Sequence, residues 1–99
     1  MRPIHLARLD KARPVLILTR ELVRPHLTRV TVAPITGTIR GLSTEVPVGP
    51  RNGLEKESVV SIDNIVTIPV EVLGRQIGFF FPDQETALSV AVRNAFDLD

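Results

Sequence analysis

The chain has no cysteine, no tryptophan and no tyrosine, and its only aromatic residues are four phenylalanines. Without cysteine there is no disulfide framework, no thiolate nucleophile and no sulfur-based zinc site, so a reducing compartment is expected. His5 and His26 fall on different expected elements and lack the HxH or HxxxH spacing of a metal-binding pair. Gly37 and Gly41 belong to neither a GxGxxG nor a Walker pattern, and no nucleophile-elbow signature occurs. Long apolar runs are missing too. Met1-Arg2-Pro3-Ile4-His5 has no signal-peptide core, and no stretch approaches a membrane span, so a cytoplasmic protein without membrane association is expected. A net charge of +1 announces no nucleic acid by itself, yet most of the Lys and Arg residues precede residue 41 while acidic residues gather in the second half. Ninety-nine residues, 43% hydrophobic, suit one domain over 1–99 with one modest core, for which self-association adds stability economically.

What the chain does contain is organised around Ala12-Arg13-Pro14-Val15-Leu16-Ile17-Leu18-Thr19. An unbroken apolar run this short, led by a proline, reads as a strand buried on both faces. Arg13 therefore stands where a rigid sheet meets solvent. The preceding segment, Ile4 to Leu9, reads as a strand with Ile4 and Leu6 on one face and His5 and Ala7 on the other. Only Asp10-Lys11-Ala12 separates the two, which predicts an antiparallel hairpin.

After a turn over Arg20 to Pro25, Leu27 to Ile35 forms the next strand, weakened near its end by Pro34, with Thr36-Gly37-Thr38 leaving the sheet. Pro47 places the short strand Glu45 to Val48 at an edge, and Arg51-Asn52-Gly53 marks a turn. Ser58 to Ile62 is a β-branched strand ending in Asp63-Asn64, and Val66 to Val72 is another, interrupted at Pro69. Arg75 to Phe81 places Ile77, Phe79 and Phe81 on one face, expected in the core. From residue 83 the period changes: Ala87, Leu88, Ala91, Val92, Ala95 and Phe96 form one stripe of a helix over 83–96, with Asp83 as N-cap and Glu85 in the first turn. Short strands followed by one helix predict a small, strongly bent barrel with the helix across one side.

Two positions have the chemistry of a phosphodiester clamp. Arginine offers a planar fork of donors, and a threonine hydroxyl donates to a further oxygen, so Arg13 and Thr36 at two strand ends suit a phosphate. The same residues also fit a solvated strand flank and an ordinary turn. Arg8, Arg20, Arg24, Arg29 and Arg40 are further candidates for phosphate contacts.

The blocks Ala12-Arg13-Pro14-Val15-Leu16-Ile17-Leu18, Val30-Thr31-Val32-Ala33-Pro34-Ile35-Thr36, Glu45-Val46-Pro47-Val48 and Ser58 to Ile68, in this order and spacing, resemble the MazF/PemK toxin family, in its mycobacterial type. The resemblance implies an SH3-like barrel shared with CcdB-type toxins. It also implies sequence-selective cleavage of single-stranded RNA by a homodimer, with no metal or cofactor, under the control of a MazE-like antitoxin. Arg13 and Thr36 match the family's catalytic arginine and threonine, and Asp63 and Asn64 stand where the resemblance implies RNA contacts; Arg8 and Lys11, as cations near Arg13 in the chain, are further RNA-binding candidates. Two departures stand out. The loop between the first two strands, which usually carries a Gly-Ser-Glu-Gln type segment, is reduced here to Asp10-Lys11-Ala12. Asp63-Asn64 replaces Glu-Gln, each one methylene shorter. A non-cleaving RNA- or protein-binding barrel, and a gyrase poison acting through the C-terminal helix, are the competing readings.

Overall fold

Runs of β-branched and apolar residues punctuated by Pro, Gly and Asn form strands because each run finds partners on its flanks. The computed structural model, describing residues 1–99, is a curled seven-stranded antiparallel sheet with one C-terminal helix. The strands are β1 (Arg2–Arg8), β2 (Ala12–Ile17), β3 (Arg29–Thr36), β4 (Glu45–Val48), β5 (Ser58–Ser61), β6 (Val66–Pro69) and β7 (Leu73–Phe80), and the helix α1 is Glu85–Phe96. Their spatial order is β4-β5-β3-β2-β1-β7, with β6 also on β3. The expected hairpin is present, with Ile4 opposite Leu16 and Arg8 opposite Ala12, and β4 is an edge strand. No helix is long and apolar enough to cross a membrane.

β2 is buried on both faces. Leu16 joins Ile4, Ala33, Ile35, Val46, Val60, Phe80, Leu88 and Ala91 in a core of 12 buried residues under α1. Val15 and Ile17 point the other way, into a smaller core with Ala7, Val30, Val32 and Ile68. An apolar run without polar alternation is what such a two-sided strand requires.

β3 shares one edge between two partners. Its first half, Arg29 to Val32, pairs with β6, while Ile35 and Thr36 pair with β5. Ile62–Asn64 forms a 3₁₀ turn between β5 and β6, so these residues are extruded from what is otherwise one ladder along β3. Pro34 falls at this interruption, where no neighbouring strand needs its missing N–H. The strand consequently continues through the proline to Thr36.

Three expectations need correction. Phe80, not Phe79, is the fully buried phenylalanine; Phe79 is 41% exposed. Ile4 pairs with Gly78 while His5 pairs with Gln76, so Ile77 is an extra residue in β7, and alternation breaks there. Ile77 and Phe80 can then both reach the large core. Asp83, in turn, is not the helix N-cap: Pro82–Gln84 is a 3₁₀ turn and α1 begins at Glu85. Both Asp83 oxygens accept from Arg51, at 2.9 and 3.0 Å, and that hydrogen-bonded pairing holds the carboxyl below its ordinary pKa. Two charge-assisted bonds outcompete a single cap bond. Phe96 also leaves the helix stripe and is exposed, while Leu88 and Ala91 carry the buried face.

Asn52 is the polar residue around which the large core closes. It is fully buried, accepts from the Gly49 N–H at 3.1 Å and from Gln84 Nε2 at 3.2 Å, and donates to Phe79 O and Gln84 Oε1, both at 2.8 Å. Gly53 adopts φ +92°, and a Cβ there would strike the Ile77 carbonyl oxygen, so the turn rests directly on β7.

Candidate active site

Val15 and Pro34 form the last rung between β2 and β3. Arg13 lies two residues before Val15 and Thr36 two residues after Pro34, so strand alternation projects both from the face of the smaller core. They share a cleft of about 620 Å³, to which the extruded turn brings Asp63 and Asn64 and the segment after β3 brings Thr38, Arg40 and Leu42. Glu45 and Ser61, the paired ends of β4 and β5, complete the far wall. The four residues expected from distant positions in the chain thus meet in one place. Arg8 and Lys11 stand outside this cleft, Arg8 at the end of β1 and Lys11 in the exposed hairpin turn.

Each group in the cleft is held by a different device. Arg13 Nη2 approaches Asp10 at 3.3 Å across the hairpin turn, whereas Arg13 Nε is buried with no hydrogen-bond partner. Most of the guanidinium's donors are thus uncommitted to other protein groups, and an oxyanion in the cleft would be a charge-assisted partner for them. The Thr38 N–H donates to Thr36 Oγ1 at 3.1 Å, leaving the Thr36 hydroxyl proton free to donate. Buried Thr44 donates its hydroxyl to Asp63 Oδ2 at 2.6 Å, and Asn64 Nδ2 donates to Ser61 Oγ at 2.7 Å. The second Asp63 oxygen is left as an acceptor.

Sequence reasoning missed Asp10, Glu45 and Ser61. A signal existed for the first, a carboxylate three residues from Arg13 across a tight turn. Glu45 was marked only by its alternation with buried Val46, which points it away from the large core and toward the cleft side. The helix covers the opposite face of the sheet and contributes nothing to this cleft.

A curled antiparallel sheet backed by one helix, with an arginine and a threonine facing a polar cleft at the mouth of its central strands, defines a small half-barrel protein with its cleft on the side away from the helix. The chain belongs to the PemK-like, MazF-like toxins of type II toxin–antitoxin systems, whose family model matches residues 4–96. It is 72% identical over 99 residues to Endoribonuclease MazF3 of Mycobacterium tuberculosis, covering 100% of this chain and 96% of that relative. The solved structure of the M. tuberculosis toxin MazF-mt6 superposes with a TM-score of 0.97 at 71% identity, covering 99% of both chains. A mycobacterial endoribonuclease in complex with its cognate antitoxin superposes with a TM-score of 0.86 at 28% identity, covering 98% of this chain and 93% of that one.

Proposed function

We propose that this chain, as a single toxin domain over 1–99, is a cytoplasmic endoribonuclease that cuts single-stranded RNA at selected sequences. Cleavage of mRNA, rRNA or tRNA then arrests translation and growth. The observation that carries the reading is that Arg13 and the free Thr36 hydroxyl line one polar cleft. In the reaction the RNA's own 2′-oxygen attacks the adjacent phosphorus. The new O–P bond forms as the P–O5′ bond breaks, the 2′-hydroxyl gives up its proton, and the departing 5′-oxygen gains one. Arg13 stabilises the charge that builds on the phosphoryl oxygens, and Thr36 donates to the same group. Arginine stays protonated throughout, so its role is electrostatic.

Asp63 has a different task. An anion repels phosphate, so its free oxygen serves a base edge that donates a hydrogen bond, with Asn64 beside it. Arg8 and Lys11, outside the cleft, would meet the strand's backbone as it leaves. The expected products are a 2′,3′-cyclic phosphate and a 5′-hydroxyl, formed in EDTA as readily as without it. Mass spectrometry of a cut oligonucleotide checks this, and a 5′-phosphate product would refute 2′-oxygen attack.

The partners proposed are a second copy of the chain and a cognate MazE-like antitoxin whose extended tail covers the cleft. The family membership supports the antitoxin, and the small core of a 99-residue chain supports association with a second copy. Light scattering after gel filtration should give twice the chain mass, with the interface made by the barrel and not by exchanged termini. A fully active monomer at micromolar concentration would rule the homodimer out.

A further inference from the structure

The geometry points to Glu45 as a positioning residue: its carboxylate fastens the segment after β3 to the sheet and so sets Arg40 as a second phosphate contact in the cleft. The inference rests on the RNA-cleaving reading and adds to it a residue that touches no substrate itself.

Three consecutive backbone N–H groups converge on this one side chain. Gly41 N donates to Glu45 Oε1 at 2.8 Å and Leu42 N at 3.1 Å, while Arg40 N reaches Oε1 at 3.2 Å and Oε2 at 3.3 Å. Glu45 N in turn donates to Leu42 O at 3.1 Å, closing the turn from both ends. Gly41 supplies the left-handed φ of +74° that lets the chain bend around the carboxylate. Between Thr36 and Glu45 the segment has no regular secondary structure of its own. Its conformation is thus set by an anion on a rigid strand, and the bonds are charge-assisted.

The consequence for the cleft is direct. Thr38, Arg40 and Leu42, on the fastened segment, line one wall of the cleft that holds Arg13. Glu45 itself, with its charge already met by backbone donors, repels an incoming phosphate less than a bare carboxylate would. Asp10, the other carboxylate beside Arg13, accepts from the Lys11 N–H at 3.0 Å and from Arg13 Nη2 at 3.4 Å, so its charge too is partly met.

The test uses the full-length chain and a fluorescein-labelled pool of random-sequence 2′-O-methyl RNA, which cannot supply an attacking 2′-hydroxyl and reports binding alone. Glu45→Ala is expected to raise Kd about tenfold and to lower the slope of log Kd against log salt by about 0.7, one phosphate contact on a single strand. Arg40→Ala should do the same, and the double variant should be no weaker than the weaker single, because both changes remove one contact. Glu45→Gln keeps an uncharged acceptor and should recover most of the affinity. Amide exchange at Arg40, Gly41 and Leu42 should accelerate in Glu45→Ala but not in Arg40→Ala. An unchanged Kd in Glu45→Ala, or additive losses in the double variant, would overturn the inference while leaving the nuclease reading intact. Failure of the wild-type chain to bind or cut RNA would instead remove that reading, and this inference with it.

Discussion

Arg13→Lys should lose about 10² to 10³ in cleavage rate while the affinity for uncleavable RNA falls only slightly, because removing one oxyanion donor costs about that much. Lysine keeps the charge but replaces a planar fork with a single ammonium, and it has no group at the place of the buried Nε. Arg13→Ala should be slower still. Both variants should melt close to the wild type: Arg13 sits beyond the last β2–β3 rung, and its only ion-pair partner is Asp10 on an exposed turn. Single-turnover cleavage of a labelled oligonucleotide measures the effect. A wild-type rate in Arg13→Lys would reduce Arg13 to a general electrostatic contact and sink the fork argument.

Asn52→Ala should show the opposite pattern, a large loss of stability with the chemistry retained at low temperature. The substitution strands the Gly49 N–H, the Phe79 carbonyl and the Gln84 amide, all gathered on one fully buried side chain. Leaving such groups unpaired costs about 3 kcal/mol in total, at the upper end of ordinary single substitutions. For a chain of this size that lowers Tm by about 12 to 24 °C. The ties run from the β4–β5 connection to β7 and the turn before α1, so they hold the helix side of the sheet. The cleft lies on the other side. A thermal melt read by circular dichroism decides the matter, and a shift below about 5 °C would mean that neighbouring groups or water replace the network.

Much of this arrangement was legible in the residues. Arg13-Pro14 ahead of an unbroken apolar run placed a cation at the mouth of a two-sided strand, and the order of the four blocks placed Thr36 and Asp63-Asn64 with it. What the sequence left unread depends on contacts between distant segments. Three consecutive phenylalanines give the same alternation signal in either phase, and only the extra residue at Ile77 selects Phe80 for the core. Asp83 after Pro82 has the local form of a helix cap, and nothing nearby in the chain reveals that Arg51 claims it. Glu45 reads as the polar member of an edge strand, since the backbone groups it gathers carry no side-chain signature.

The extruded turn between β5 and β6 separates what the protein can vary from what it must keep. Because Ile62, Asp63 and Asn64 stand outside the ladder along β3, their number and identity are not dictated by strand register. Only Ile62 is committed to the core. Asp63 and Asn64 are held there by side-chain bonds to Thr44 and Ser61 and not by the ladder, whereas Arg13 and Thr36 stand on the strands themselves. The turn that carries Asp63 and Asn64 and the strands that carry Arg13 and Thr36 are thus separate parts of one cleft wall.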